Sequence, residues 1–130
     1  MGTILLYGFE ELNDILVVKA AVGPFGAEVK PVFRDGWRTP VGALAGRETR
    51  PAREGVFSGK LGGRMMVFCD LEQQLEGLLA ALRQANVGPQ CYKAVLTKWN
   101  QEWDGIALFT ELQRERREIE ARKREQAEKK

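Results

Sequence analysis

The sequence predicts an α/β fold: two β-α-β units forming a four-stranded, mainly parallel sheet of order 2-1-3-4, with helices on both faces. Three observations carry that expectation. An apolar strand followed by an amphipathic segment and a second strand occurs twice, first from Thr3 and again from Met65. The leading strand of each copy is apolar on both of its alternating faces, the pattern of a strand covered on both sides. Each copy is closed by glycine or proline signals that break the helix and turn the chain.

Strand one, residues 3–9, sets Ile4 and Leu6 on one face and Leu5 and Tyr7 on the other. Helix one is expected from about Glu10 to Val22, with Leu12, Ile15 and Leu16 at helical spacing, Glu10 and Glu11 favouring its positive end, and Gly23-Pro24 and Gly26 breaking it. Strand two, residues 28–33, contains Pro31, which cannot donate to a ladder and so marks an edge. Arg34-Asp35-Gly36 is a turn, and Thr39 or Pro40 opens a short helix through Val41, Leu44 and Ala45 that Gly46 ends. From residue 47 to residue 63 there are glycines, a proline and little periodicity, which reads as a mobile loop.

Strand three, residues 65–69, is again apolar on both faces. Asp70 suits an N-cap with Gln73 in capping-box position, and Leu75, Leu78, Leu79 and Leu82 form a regular stripe ended by Asn86 and Gly88. Strand four, residues 91–97, places Tyr92, Ala94 and Leu96 on one face and Lys93 and Val95 on the other. A last helix begins near Asp104, buries Leu108, Phe109 and Leu112, and runs into a charged tail. The expected organisation is one domain, residues 1–112, comprising a first unit (1–37), a basic Gly-rich connector (38–64) and a second unit (65–112), with a helical tail over 113–130. The alternative architecture is a ferredoxin-like α+β sandwich, in which strands two and three pair antiparallel.

The chain has 130 residues, 44% hydrophobic and 29% charged, with a net charge of +2, the balance of an ordinary single globular domain. No apolar run approaches the roughly 20 residues that span a bilayer, and no basic stretch precedes the first strand as in a secretory signal. Two isolated cysteines fit a reducing cytoplasm, with no disulfide expected. There is no histidine, which removes Ser-His-Asp and Cys-His nucleophilic catalysis and the usual imidazole ligands of zinc. No catalytic residue, metal or cofactor is assigned.

The string Lys93-Ala94-Val95-Leu96-Thr97, followed by Asn100 and Trp103, resembles a bacterial family catalogued as domain of unknown function 3783. The Met66-Val67-Phe68 strand and the leucine-striped helix after it share that likeness. It extends well over residues 65 to about 115 and loosely over the N-terminal half. The resemblance implies no activity.

Three functional expectations follow. The first is a non-enzymatic protein-binding or oligomerisation module, motivated by the missing catalytic groups and by Pro31, Phe33 and Trp37 near a sheet edge. The second is a small-ligand or enzymatic site at the strand C-terminal ends, using Glu10, Asp70, Thr97 and Asn100, where open parallel sheets bind ligands. The simpler role of Thr97 and Asn100 is to hold a turn. The third is weak nucleic-acid binding through the basic connector, with Trp37 stacking and Arg47, Arg50 and Arg53 on phosphates. A solvated flexible loop is the favoured reading of these residues, and a nucleic-acid partner is not expected.

Overall fold

The computed structural model describes residues 2–49, 61, 63–87 and 91–128. The elements run β1 (Thr3–Tyr7), α1 (Leu12–Val22), β2 (Glu28–Val32), α2 (Val41–Leu44), β3 (Arg64–Cys69), α3 (Leu75–Gln84), β4 (Cys91–Val95) and α4 (Gly105–Glu128), with single 3-10 turns at Gly23–Phe25, Arg34–Gly36 and Glu72–Gln74. They build one sheet of order β2-β1-β3-β4.

Each unit is internally parallel. Thr3 pairs with Glu28 and Tyr7 with Val32 in the first; Arg64 pairs with Cys91 and Phe68 with Val95 in the second. The units meet antiparallel along the middle of the sheet, Thr3 opposite Cys69 and Tyr7 opposite Met65. The sheet is therefore mixed, two β-α-β units placed back to back. The chain leaves β2 at the same end of the sheet where it enters β3, and in between it reaches the opposite end, where Arg47 meets Asp70. The ferredoxin-like alternative is corrected by the same pairing, because β1 lies between β2 and β3.

Double-sided burial explains why β1 and β3 take the centre. Ile4, Leu6, Met66 and Phe68 enter one core with Ile15, Val18 and Val22 of α1 and Leu78 and Leu82 of α3. Leu5, Tyr7, Met65, Val67 and Cys69 enter the other with Val32, Trp37, Val41, Leu61, Leu96, Leu108 and Phe109. Two units of equal crossover hand and opposite strand direction must set their helices on one face, and α1 and α3 do share a face. Trp37, α2, Leu61 and α4 cover the other.

Two local expectations change. Helix α1 begins at Leu12, and it buries Ile15, Val18 and Val22 while Leu12 and Leu16 point to solvent. Its apolar residues surround the helix, so spacing alone did not select the inward face. Asp70 is not an N-cap: it adopts φ +60° and no side-chain cap bond forms at Leu71 or Gln74, the chain passing through a 3-10 turn before α3. Trp103 is half exposed, and it is its carbonyl that ties the turn down, accepting from the Val41 N–H at 2.8 Å. Helix α4 begins as expected, with the Asp104 Oδ1 accepting from the Ala107 N–H at 2.8 Å. It then continues without a break into the charged tail, where Arg114 bridges Glu111 and Glu118.

Candidate functional site

The antiparallel seam decides which strand-end residues can meet. The C-terminal end of β1 lies beside the start of β3, whereas Asp70 follows the far end of β3. Glu10 thus sits at one end of the sheet, and Asp70, Thr97 and Asn100 at the other. The four do not form one site.

At the Asp70 end, each side chain has a local partner. The Thr97 hydroxyl accepts from the N–H groups of Trp99 and Asn100, each at 3.2 Å. The Asn100 side chain accepts from the Thr97 N–H at 2.9 Å and donates to the Val95 carbonyl at 3.1 Å. That closes the turn leading from β4 toward α4, as Thr and Asn do when their side chains imitate backbone. Asp70 accepts from the Arg47 guanidinium at 2.7 Å, and the same guanidinium donates to the Gln101 side chain at 3.2 Å. Arg47 thereby joins the β3 corner to the turn before α4. Trp99 stands clear of this turn at 77% exposure, with the Lys98 ammonium 5.2 Å from its ring centroid.

Residues 64–119, which span β3, α3, β4 and the first part of α4, match the family model described as Domain of unknown function (DUF3783). This segment belongs to that family. The DUF3783 segment therefore holds the second β-α-β unit and the Thr97–Asn100 turn, while β1, α1 and β2 lie outside it. No curated protein and no solved structure matches the chain.

At the Glu10 end, a cleft of about 450 Å³ is lined by Gly8, Glu10, Arg34, Trp37, Leu61, Gly63 and Arg64. A neighbouring cleft of about 320 Å³ lies between Phe9, Asp14, Val17, Arg64 of the DUF3783 segment, and Ala85 to Val87. Arg64 separates them, its guanidinium 2.5 Å from the Asp14 carboxylate and 4.7 Å from the Phe9 ring centroid. Gly8 allows the segments after β1 and before β3 to close here: at φ +79° a Cβ would lie 2.2 Å from the Gly63 carbonyl oxygen. Trp37 is only 6% exposed, its indole N–H donating to the Val32 carbonyl at 3.3 Å. Its ring belongs to the core rather than to a stacking surface. Arg47 lies with Asp70 instead, and Arg50 and Arg53 fall outside the described residues.

Nucleophilic groups are placed unfavourably for chemistry. Burial pushes the Cys69 thiol up to about 12 and the Cys91 thiol up to about 11, so both stay protonated near neutrality. They lie at opposite ends of neighbouring strands, both free. Burial also raises the Tyr7 phenol. Among the described residues no group of three or more acidic or thiol side chains is placed to hold a metal ion. Nor is any described helix long and apolar enough to cross a membrane.

A further surface feature is the outer side of α1. Leu12 is 67% exposed, Leu16 48% and Val17 42%, with Ala20 also exposed one turn beyond Leu16. Leu12, Leu16 and Ala20 stand four residues apart and so line one strip of the helix. The signal was present in the sequence as a helix apolar on every side. Such a helix is ordinarily covered all round.

Proposed function

We propose that the protein is a non-enzymatic protein-binding module whose contact surface is the outward face of α1. The observation that carries this reading is the exposure of Leu12, Leu16 and Val17 on a helix whose opposite face is already packed in the core. A contiguous apolar strip of that kind is disfavoured in water and is a frequent mark of a protein contact. Phe33, 55% exposed beyond the edge strand β2, adds a further apolar group to the same half of the molecule. Two buried, unpaired thiols suit a reducing cytoplasm.

The test is site-specific photo-crosslinking in cells, with benzoylphenylalanine in place of Leu12 and, as control, of the exposed Glu76 on α3. A discrete adduct from position 12 that position 76 does not give supports the reading. Equal or absent adducts from both positions overturn it.

A second reading, small-ligand binding at the end of β1, is favoured by the cleft between Glu10, Arg34 and Arg64. Arg34 in its lining offers a cation to an anionic ligand, beside the Arg64–Asp14 pair. Isothermal titration with inorganic phosphate and with citrate tests it, and no heat of binding from either would remove it.

A further inference from the structure

The path of the chain opens a crevice at the end of the first unit. β1 and β2 run parallel side by side, so their C-terminal ends lie together. From β1 the chain turns to α1, on the face of Ile4 and Leu6; from β2 it turns through Arg34–Gly36 to Trp37 and α2, on the face of Leu5 and Tyr7. Neighbouring parallel strands whose chains depart to opposite faces leave a gap between them, the place where open α/β sheets hold ligands. Two clefts, of about 450 Å³ and about 270 Å³, occupy that gap and share Gly8, Glu10, Arg34 and Trp37; the smaller also reaches Phe33. Small-molecule sites span about 300–1,000 Å³.

Opposite charges line both clefts. The Arg34 guanidinium lies 5.6 Å from the centroid of the Trp37 ring, which is fixed by burial and by its bond to the Val32 carbonyl. Such stacking holds the planar guanidinium with its N–H edge available. Arg64, by contrast, is engaged with Asp14. Among the described residues neither Glu10 nor Arg34 enters an ion pair. A plain anion held on Arg34 therefore meets the Glu10 carboxylate in the same cleft, whereas a ligand carrying both signs satisfies both side chains. Phe33, 55% exposed, adds an apolar wall.

We propose, resting on the small-ligand reading above, that this crevice binds a free α-amino acid with an apolar side chain. The Arg34 guanidinium donates to the ligand carboxylate, the ligand ammonium donates to the Glu10 carboxylate, and the ligand side chain lies on the Phe33 ring. Glu10 and Arg34 are both exposed and so are able to close on it. Citrate and phosphate bind through Arg34 alone, and more weakly. A ligand of this size, held by exposed charges, has a dissociation constant of about 0.1–5 mM.

Isothermal titration of the full chain with L-phenylalanine, N-acetylphenylalanine, citrate and inorganic phosphate tests the proposal. Phenylalanine is expected to bind most tightly. Arg34→Gln should weaken every probe by at least about fivefold, the scale of a charged hydrogen bond discounted for exposure. Glu10→Gln should weaken phenylalanine by a similar factor and should not weaken N-acetylphenylalanine, which has no ammonium group. Both positions are exposed, so the variants should keep the circular dichroism spectrum and melting temperature of the wild type. Citrate or phosphate binding as tightly as phenylalanine, or phenylalanine indifferent to Glu10→Gln, overturns the amino-acid assignment and leaves the anion site standing. No heat from any of the four probes removes both.

Discussion

Tyr7→Phe should stabilise the protein. Tyr7 is the last residue of β1, fully buried, with its ring packed beneath the start of α4: a Cβ at Gly105 would come within 2.2 Å of it. Its hydroxyl is buried without a hydrogen-bond partner among the described residues. A buried unsatisfied hydroxyl costs about 1–3 kcal/mol relative to its hydrated state in the unfolded chain. Deleting the oxygen removes that cost and leaves a void of roughly 10 Å³, which at about 24 cal/mol per Å³ returns only ~0.2 kcal/mol. The expected net gain is about 1–2 kcal/mol, or a rise of several degrees in melting temperature. Urea unfolding at one fixed low protein concentration measures it, with the midpoint rising and the slope unchanged. A loss of more than about 1 kcal/mol would refute the reasoning, since it would mean that the hydroxyl has an acceptor in solution. Asp104, whose charge contributes to raising the phenol, is the first to examine.

Gly105→Ala should cost about 1–3 kcal/mol by driving its methyl into the Tyr7 ring, read as a lowered melting temperature with the circular dichroism spectrum retained. Stability should fall at alkaline pH. The folded thiols titrate near 12 for Cys69 and near 11 for Cys91, above the ordinary value of 9.0 that the unfolded chain follows. Below that ordinary value both states hold the protons and stability is undiminished; between it and the folded values the unfolded chain alone releases them. Each thiol then removes about 1.4 kcal/mol per pH unit, and the loss levels off once the folded thiol also ionises. Cys69→Ala should flatten part of this slope in urea titrations between about pH 9 and pH 11.

The sheet was legible because double-sided apolarity leaves little choice. Ile4, Leu5, Leu6 and Tyr7, like Met65 to Phe68, need cover above and below, which places β1 and β3 at the centre and β2, with Pro31, at an edge. Strand direction was less accessible, since alternating burial reads the same forwards and backwards. Only the pairing of Tyr7 with Met65 reveals that the two strand ends once joined in one site lie apart. The Thr97 and Asn100 turn followed from residue chemistry within a few positions. Asp70 did not, because its left-handed backbone and its partner Arg47 depend on a contact 23 residues away in sequence. The outward strip of α1 escaped for a similar reason. Leu12 and Leu16 have the same spacing as an inward stripe, and packing against β1 and α3 selected Ile15, Val18 and Val22 instead.

The central claim, that α1 presents the contact surface, is tested most directly by photo-crosslinking in cells from Leu12, Leu16 and Val17 in turn, with the exposed Trp99 as the comparison position. Discrete adducts should form from the α1 positions and not from Trp99. Adducts confined to Trp99, or none from any position, would contradict it.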